Sequence, residues 1–155
     1  MSTLSELTNQ AEYIASKNNT LKAHWHTYQN VLTQAVTLSG PRINHTFTCS
    51  NERGIHFTVF NHFIISIHLE ADFYSQRVVY SLNMAQPGEP NDFEAFAWAT
   101  LTEEGRIDNT IDIHDRQAVL EHYINKIALF YQCIYDAIYS NTPLHPQLEK
   151  LIKKF

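Results

Sequence analysis

Histidine is the residue in this sequence that could do the most chemistry, with nine copies among 155 residues. Imidazole binds metals and moves protons near neutral pH. His24 and His26 lie two apart in a helical pattern, which points them about 200° from each other and excludes a shared metal. His56 and His68 are predicted side by side on the wet face of adjacent strands, but a metal site would need a third fixed ligand. His45 falls on an inward strand face, so we predict a hydrogen-bonded core histidine, and we predict no metal site and no cofactor.

The other reactive residue types lack the spacing that catalysis needs. Glu121-His122 resembles a fragment of a zinc motif, but no histidine precedes it at the HExxH spacing. No serine stands in a GxSxG context, and Cys49 and Cys133 carry no catalytic signature. The acidic pairs Glu103-Glu104 and Asp108 with Asp112 lie at turns and strand edges. The four glycines all fall at predicted turns, which leaves none to cradle a phosphate. We therefore predict no catalytic residues and a protein that is not an enzyme.

The amino-acid composition further narrows the class of protein. The net charge is −5, and the eleven Lys and Arg residues are scattered, which argues against DNA binding, because DNA binding needs clustered basic residues. No helix-turn-helix pattern appears. Apolar content of 44% and charged content of 17% predict one globular domain over residues 1–155. The cysteines are expected to be reduced thiols, and the polar N-terminus without any long apolar run predicts a soluble cytoplasmic protein without a membrane segment.

The element that must organise the chain is a long helix from Asp115 to Asn141. Asp115 is a suitable N-cap, because its carboxylate can accept the free amides of the first turn. Asn141 tolerates the left-handed conformation, and Pro143 cannot continue a helix. The apolar residues sweep an arc of roughly 160°, which is too wide for a coiled-coil seam alone. This helix is therefore predicted to lie on a sheet and to touch a second helix.

That second helix is predicted at the N-terminus, over residues 3–38, ending at Gly40 and Pro41. Its heptad seam places Asn18 at a core position, where the helix could continue or break. The seam can pack on the later helix, on a second copy in a homodimer, or on both. If it presents an interface, the centre would be Leu21, Trp25, Tyr28 and Leu32, each of which can instead be core. The full seam is Leu4, Leu7, Ala11, Ile14, Asn18, Leu21, Trp25, Tyr28, Leu32 and Ala35.

Between the helices, residues 42–113 change to a period of two, which predicts antiparallel strands. Ile43, His45, Phe47 and Cys49 form one inward face, and a three-residue loop with Asn61 near the left-handed conformation joins the next two strands. A last strand is predicted over residues 106–113, and a short terminal helix follows in HPQLEKLIKKF. The predicted class is α+β: a long N-terminal helix, a five- to six-stranded antiparallel meander, a long C-terminal helix and a short terminal helix, with the helices packed on one sheet face.

Two stretches carry motifs as well as periodicity. Residues 12–49 contain YIA, the pattern LxxxWHxYxxxL from Leu21 to Leu32, TLS and the His45 to Cys49 strand. Residues 111–143 contain DRxxVLEHYxxKIAxxYxxxYxAIxxN, which begins at Asp115. Together they cover about half the chain, and they resemble the formate hydrogenlyase regulatory protein family, the HycA-type transcriptional repressors.

This resemblance implies a cytoplasmic negative regulator of the formate hydrogenlyase and hydrogenase-maturation operons, which counters the formate-responsive transcriptional activator. It implies no catalytic residues and no established set of binding residues. The acidic composition favours repression by contact with the activator. A direct DNA-binding repressor and a secretion-chaperone-like or general protein-binding adaptor remain open alternatives.

Overall fold

The structure is a computed structural model that describes residues 3–51 and 53–153. Within these residues, three helices and seven strands follow in the order α1 (Leu4–Ile43), β1 (His45–Ser50), β2 (Gly54–Val59), β3 (Phe63–Leu69), β4 (Arg77–Asn83), β5 (Phe93–Thr100), β6 (Arg106–Ile107), β7 (Ile111–Asp112), α2 (Arg116–Tyr139) and α3 (Leu144–Lys153). Strands β1 to β5 form an antiparallel meander in sequence order, and β6 pairs with β7 separately. The predicted α+β architecture is confirmed.

Helix α1 begins with a reciprocal cap, in which the Thr3 hydroxyl accepts from the Glu6 amide and the Glu6 carboxylate accepts from the Thr3 amide. The helix continues through Asn18 without a break. Its predicted end at Gly40 and Pro41 is wrong, because helical structure runs on to Ile43. Proline removes only one hydrogen bond so close to the end of a helix.

The true end of α1 is at Asn44, which adopts the left-handed conformation with φ 53° and donates its amide to the Gly40 carbonyl. Gly40 has a packing role here. A Cβ atom at this position would lie 2.7 Å from the His45 carbonyl oxygen, so only glycine lets the helix and β1 approach this closely.

The seam of α1 divides into two parts. From Leu21 onward it is buried in the core, whereas residues 3–16 are all exposed. Leu4 is 83% exposed, Leu7 52% and Ile14 49%. The first third of the helix therefore extends beyond the body that the rest of the helix helps to form.

The core lies between one face of the meander and the helices. Alternate residues of β2, β3 and β4 are buried, and the β2–β3 loop holds three residues between Val59 and Phe63, as predicted. Two expectations are wrong. Phe47 and Cys49 are exposed, because β1 is an edge strand whose register shifts between these residues. The strand predicted over residues 106–113 is interrupted by a left-handed turn at Asp108 and Asn109.

The Asn51 turn before β2 is held by the Asn51 side chain, whose oxygen accepts from the amides of Arg53 and Gly54. Glu52, which the sequence places in the same turn, lies outside the described residues, as do Lys154 and Phe155, which end the stretch predicted as a terminal helix.

Helix α2 starts as predicted, with the Asp115 carboxylate accepting from the Ala118 amide at 3.2 Å. One part of its apolar arc is buried against the sheet and α1, at Val119, Tyr123, Ile127, Phe130 and Ile134. The other edge is uncovered: Tyr135 is 64% exposed and Ile138 75%. The arc is wider than the surface that its two partners provide.

Candidate functional site

The uncovered edge of α2 forms one wall of an apolar groove with a volume of about 850 Å³. The opposite wall comes from the end of α1, the β2–β3 loop and the start of α3. Along α2 the lining residues recur every three or four positions, which is the spacing of one helix face. The lining residues are Ile43, Phe60, His62, Phe63, Ile124, Ile127, Ala128, Tyr131, Gln132, Ile134, Tyr135, Ile138 and Leu144.

Phe60 gives the groove a strained wall. It has φ 52°, a left-handed conformation that a bulky side chain rarely adopts. Its amide donates to the Asn44 carbonyl at 2.8 Å, and its ring lies 5.5 Å from the ring of Tyr131. These contacts hold an aromatic ring, 42% exposed, over the groove at a position where asparagine or glycine would be less strained.

A buried hydrogen-bond network fixes the wall at Ile43 and Tyr131. The Tyr131 hydroxyl lies 2.5 Å from the Ile43 carbonyl oxygen and 2.8 Å from His45 Nδ1. On its other side, His45 Nε2 lies 2.8 Å from the Tyr123 hydroxyl. The network therefore ties the end of α1 and the start of β1 to α2.

One arrangement of protons satisfies every member of this network. Tyr131 donates to the Ile43 carbonyl, His45 donates from Nδ1 to the Tyr131 oxygen, and Tyr123 donates to Nε2. This arrangement requires a neutral imidazole. Burial lowers the pKa of His45 to about 4, although its contact with the Ile43 carbonyl opposes the shift. The predicted hydrogen-bonded core histidine is confirmed.

A second polar cluster fastens α2 to the turn after β6. His122 Nε2 lies 2.8 Å from an Asp108 carboxylate oxygen, and Lys126 lies 3.3 Å from the same carboxylate. Burial would raise the pKa of Asp108, but hydrogen bonds from His122 and the Thr100 amide, together with Lys126, hold it below its usual range.

A carboxylate–imidazole pair can orient a histidine for proton transfer. Here burial lowers the pKa of His122 against the opposing effect of Asp108. The second ring nitrogen, Nδ1, is enclosed and has no hydrogen-bond partner among the described residues. The pair therefore holds α2 against the turn after β6.

The four residues predicted as a possible interface are all in the core. Leu21 is 3% exposed, Trp25 4%, and Tyr28 and Leu32 are fully buried. The hydroxyls of Tyr28 and Tyr80 are 2.7 Å apart in the interior. Core packing accounts for all four side chains, and their contact with a partner stays a prediction.

The histidine pairs His24–His26 and His56–His68 do not line the groove. His24 Nε2 lies 2.8 Å from the Glu103 carbonyl oxygen, while His26 is exposed. His56 and His68 are diagonal neighbours across β2 and β3, and burial, with His56 nearby, lowers the pKa of His68. Within residues 3–51 and 53–153, no group of three His, Cys, Asp or Glu side chains could hold a metal ion.

None of the helices in the described part of the chain combines the length and apolar character needed to span a bilayer.

Comparison with known proteins gives a match over nearly the whole chain. Residues 2–150 match the family model described as transcriptional repressor of hyc and hyp operons. The chain belongs to this family. It is 38% identical, over 97% of its length and 95% of theirs, to the formate hydrogenlyase regulatory protein HycA of Escherichia coli strain K12 and of Shigella flexneri. No solved structure matches.

Family membership confirms the resemblance inferred from the two motif-bearing stretches. Those motifs largely mark the core: the tyrosine, valine and isoleucine positions of DRxxVLEHYxxKIA include the buried Val119, Tyr123 and Ile127. Sequence reasoning did not find the groove. The available signal was the excess width of the α2 arc, since an arc wider than its partners must leave an apolar edge uncovered.

Proposed function

We propose that this protein is a cytoplasmic negative regulator of the formate hydrogenlyase and hydrogenase-maturation operons. It acts without catalysis, by binding the formate-responsive activator, and the apolar groove is the surface that binds. Membership of a repressor family supports the regulatory role. The observation that carries the mechanism is the groove itself, a large apolar concavity on a protein that carries a net charge of −5.

The net charge of −5 and the scattered basic residues favour protein contact over DNA contact. A DNA-binding surface needs free Lys and Arg side chains to displace counterions from phosphates. Three of the basic side chains are not free: Lys17 binds Glu103 at 2.8 Å, Lys126 contacts Asp108, and Arg77 is engaged as well. The Arg77 guanidinium lies 4.5 Å from the centre of the Trp98 ring and reaches Glu70.

The form of the groove suits an amphipathic helix. Its α2 wall presents Ile124, Tyr131 and Ile138 at intervals of seven residues, and further lining residues lie three or four positions from each of them. A guest helix with large apolar side chains at positions i, i+3 or i+4, and i+7 would interdigitate with such a wall. The rigid network beneath Tyr131 keeps the wall in place before a partner arrives, which reduces the ordering cost of binding.

The direct test measures binding of the purified activator to wild-type protein and two matched variants, with and without formate. Ile138→Lys places a charge in the groove, whereas Leu129→Lys changes a residue that is 64% exposed on the same helix but outside the groove. We expect Ile138→Lys to lose binding and repression, and Leu129→Lys to keep both. Equal binding by both variants would exclude the groove as the docking surface.

A third variant separates binding from folding. Phe60→Asn removes the aromatic wall and replaces it with a residue that tolerates φ 52°. This variant should fold at least as stably as the wild type and bind the activator more weakly. A gel shift on the target promoter runs beside these measurements. Tight, salt-resistant binding to promoter DNA without the activator would favour a direct DNA-binding repressor, and binding to neither would favour a chaperone-like adaptor.

A further inference from the structure

The exposed first third of α1, residues 4–16, has an apolar stripe that covers nothing in its own chain. Leu4, Leu7, Ala11 and Ile14 alternate spacings of three and four, so they lie along one side of the helix. This segment is about 20 Å long at 1.5 Å per residue. Every residue from Thr3 to Ser16 is exposed.

Local sequence stabilises the first turn of this segment through the reciprocal Thr3–Glu6 cap, but it does not explain why the whole segment stays helical. It contains Ser5, Thr8 and Asn9, which are mediocre helix formers, and helices of this length are marginal in water without packing. Because this segment continues the buried part of α1, no new helix nucleus has to form. A partner packed along the stripe would provide the usual source of helical stability.

We propose that the partner is a second copy of this chain, whose own residues 4–14 pack antiparallel against this stripe. In the register centred on Asn9, Leu4 meets Ile14 of the second copy and Leu7 meets its Ala11. The same two contacts repeat across the two-fold axis. This register pairs all four apolar positions in both copies. The proposal does not depend on the proposed function.

The antiparallel direction follows from where the body lies. The stripe continues without a skip into Leu21, Trp25 and Tyr28, which are buried against their own chain. A second helix running parallel along the stripe would enter the space that this core occupies. The helix of an antiparallel second copy ends near Asn18, where the folded core of the first copy begins. The folded core of the second copy then lies beyond the opposite end of the helix pair.

Charges agree with this arrangement. The positions that flank the stripe within the paired segment are Thr3, Thr8, Gln10 and Ala15, none of which carries a charge. Identical copies therefore do not repel each other along the seam.

The ends of the pair bring an ion pair of one copy close to the helix start of the other. The register places the start of each α1, with its positive helix dipole, about one turn from Lys17 of the second copy. Lys17 binds Glu103, whose carboxylate also accepts from the Tyr74 hydroxyl at 2.8 Å. This carboxylate offsets the positive charge of Lys17, which would otherwise repel the positive helix end of the second copy.

The first experiment measures molecular mass by sedimentation equilibrium over the micromolar range. Wild-type protein should be a dimer, and Leu7→Asp should be a monomer whose core stays folded, because Leu7 makes no core contact in the monomer. Its circular dichroism spectrum should lose only the helical signal of residues 4–16, which no longer pack on a partner. Ile138→Lys should remain a dimer. A monomeric wild type, a dimeric Leu7→Asp or a monomeric Ile138→Lys would each overturn the proposal, and the last would place this segment in the groove of the second copy.

The second experiment tests direction and register by disulfide formation, which requires Cα atoms within about 7 Å. In a background of Cys49→Ser and Cys133→Ala, the double variant Leu7→Cys with Ala11→Cys should form a covalent dimer on mild oxidation. Leu7→Cys alone should not, because the two copies of residue 7 are apart in the antiparallel register. Crosslinking of Leu7→Cys alone would indicate parallel helices and overturn the proposal.

Discussion

Lowering the pH from 7 to 5 should destabilise this protein through His45. Because burial lowers the pKa of His45 from 6.5 to about 4, the unfolded chain binds a proton at this site throughout most of that window and the folded protein does not. Stability increases with pH wherever the unfolded state binds more protons. The contribution of His45 to the free energy of unfolding is therefore complete above the unfolded pKa of 6.5. It declines as the pH falls and levels off below the folded pKa of about 4.

The size of the effect follows from these two pKa values. At about 1.4 kcal/mol per pKa unit, the difference between the folded and unfolded pKa values corresponds to roughly 3 kcal/mol in the free energy of unfolding. About 2 kcal/mol of this is lost between pH 7 and pH 5. The structural reason is specific: a protonated His45 would present a second N–H to Tyr123, whose hydroxyl would lose the acceptor that it uses inside the core. A loss of this size is a large fraction of the stability of a small domain.

The assay is urea unfolding at pH 7 and pH 5 for the wild type, His45→Gln and His45→Phe. Other groups also titrate, since the pKa values of His68 and His122 are lowered by burial, so the useful quantity is the difference between proteins. Both variants are less stable than the wild type at pH 7, but each should lose about 2 kcal/mol less on acidification. Equal losses in all three proteins would refute the assignment of a neutral, buried His45.

Three further substitutions test the packing. Gly40→Ala should destabilise the fold by about 1–3 kcal/mol, because the new Cβ atom would lie 2.7 Å from the His45 carbonyl oxygen. Thermal unfolding measures this loss, and an unchanged midpoint would contradict the packing role of Gly40. Asn44→Ala should lower the free energy of unfolding by about 1 kcal/mol, because alanine adopts the left-handed conformation less readily than asparagine. Asn44→Gly should restore the lost stability, because glycine adopts it without strain. Tyr28→Phe should cost about 1–3 kcal/mol by leaving the Tyr80 hydroxyl unpaired, and adding Tyr80→Phe should recover part of that loss.

Local rules predicted those parts of the fold that depend on a few neighbouring residues. The Asp115 cap, the three-residue β2–β3 loop and the alternation in β2 to β4 each follow from residue type and spacing. The end of α1 was misplaced because Gly40 and Pro41 are common stop signals, whereas here tertiary packing uses Gly40 for close contact and lets Asn44 end the helix.

The candidate site could not be predicted because it depends on what remains uncovered after packing. The sequence indicates that Tyr135 and Ile138 share an apolar arc with Tyr123, but not that the sheet and α1 cover only one edge of it. Phe60 is a similar case. Nothing in its type suggests a left-handed backbone, which arises from its hydrogen bond to the Asn44 carbonyl and its place in a tight loop.

The length of α1 also affects the hydrodynamic size of the molecule. Forty helical residues span about 60 Å, whereas a compact chain of 155 residues has a radius of gyration of about 15 Å and a diameter near 40 Å. A monomer with such a projecting helix would elute from gel filtration ahead of a globular standard of 18.0 kDa. Its elution volume alone would therefore imitate a dimer, while an antiparallel pair joined through residues 4–14 would scatter X-rays as two separated masses at the ends of a rod.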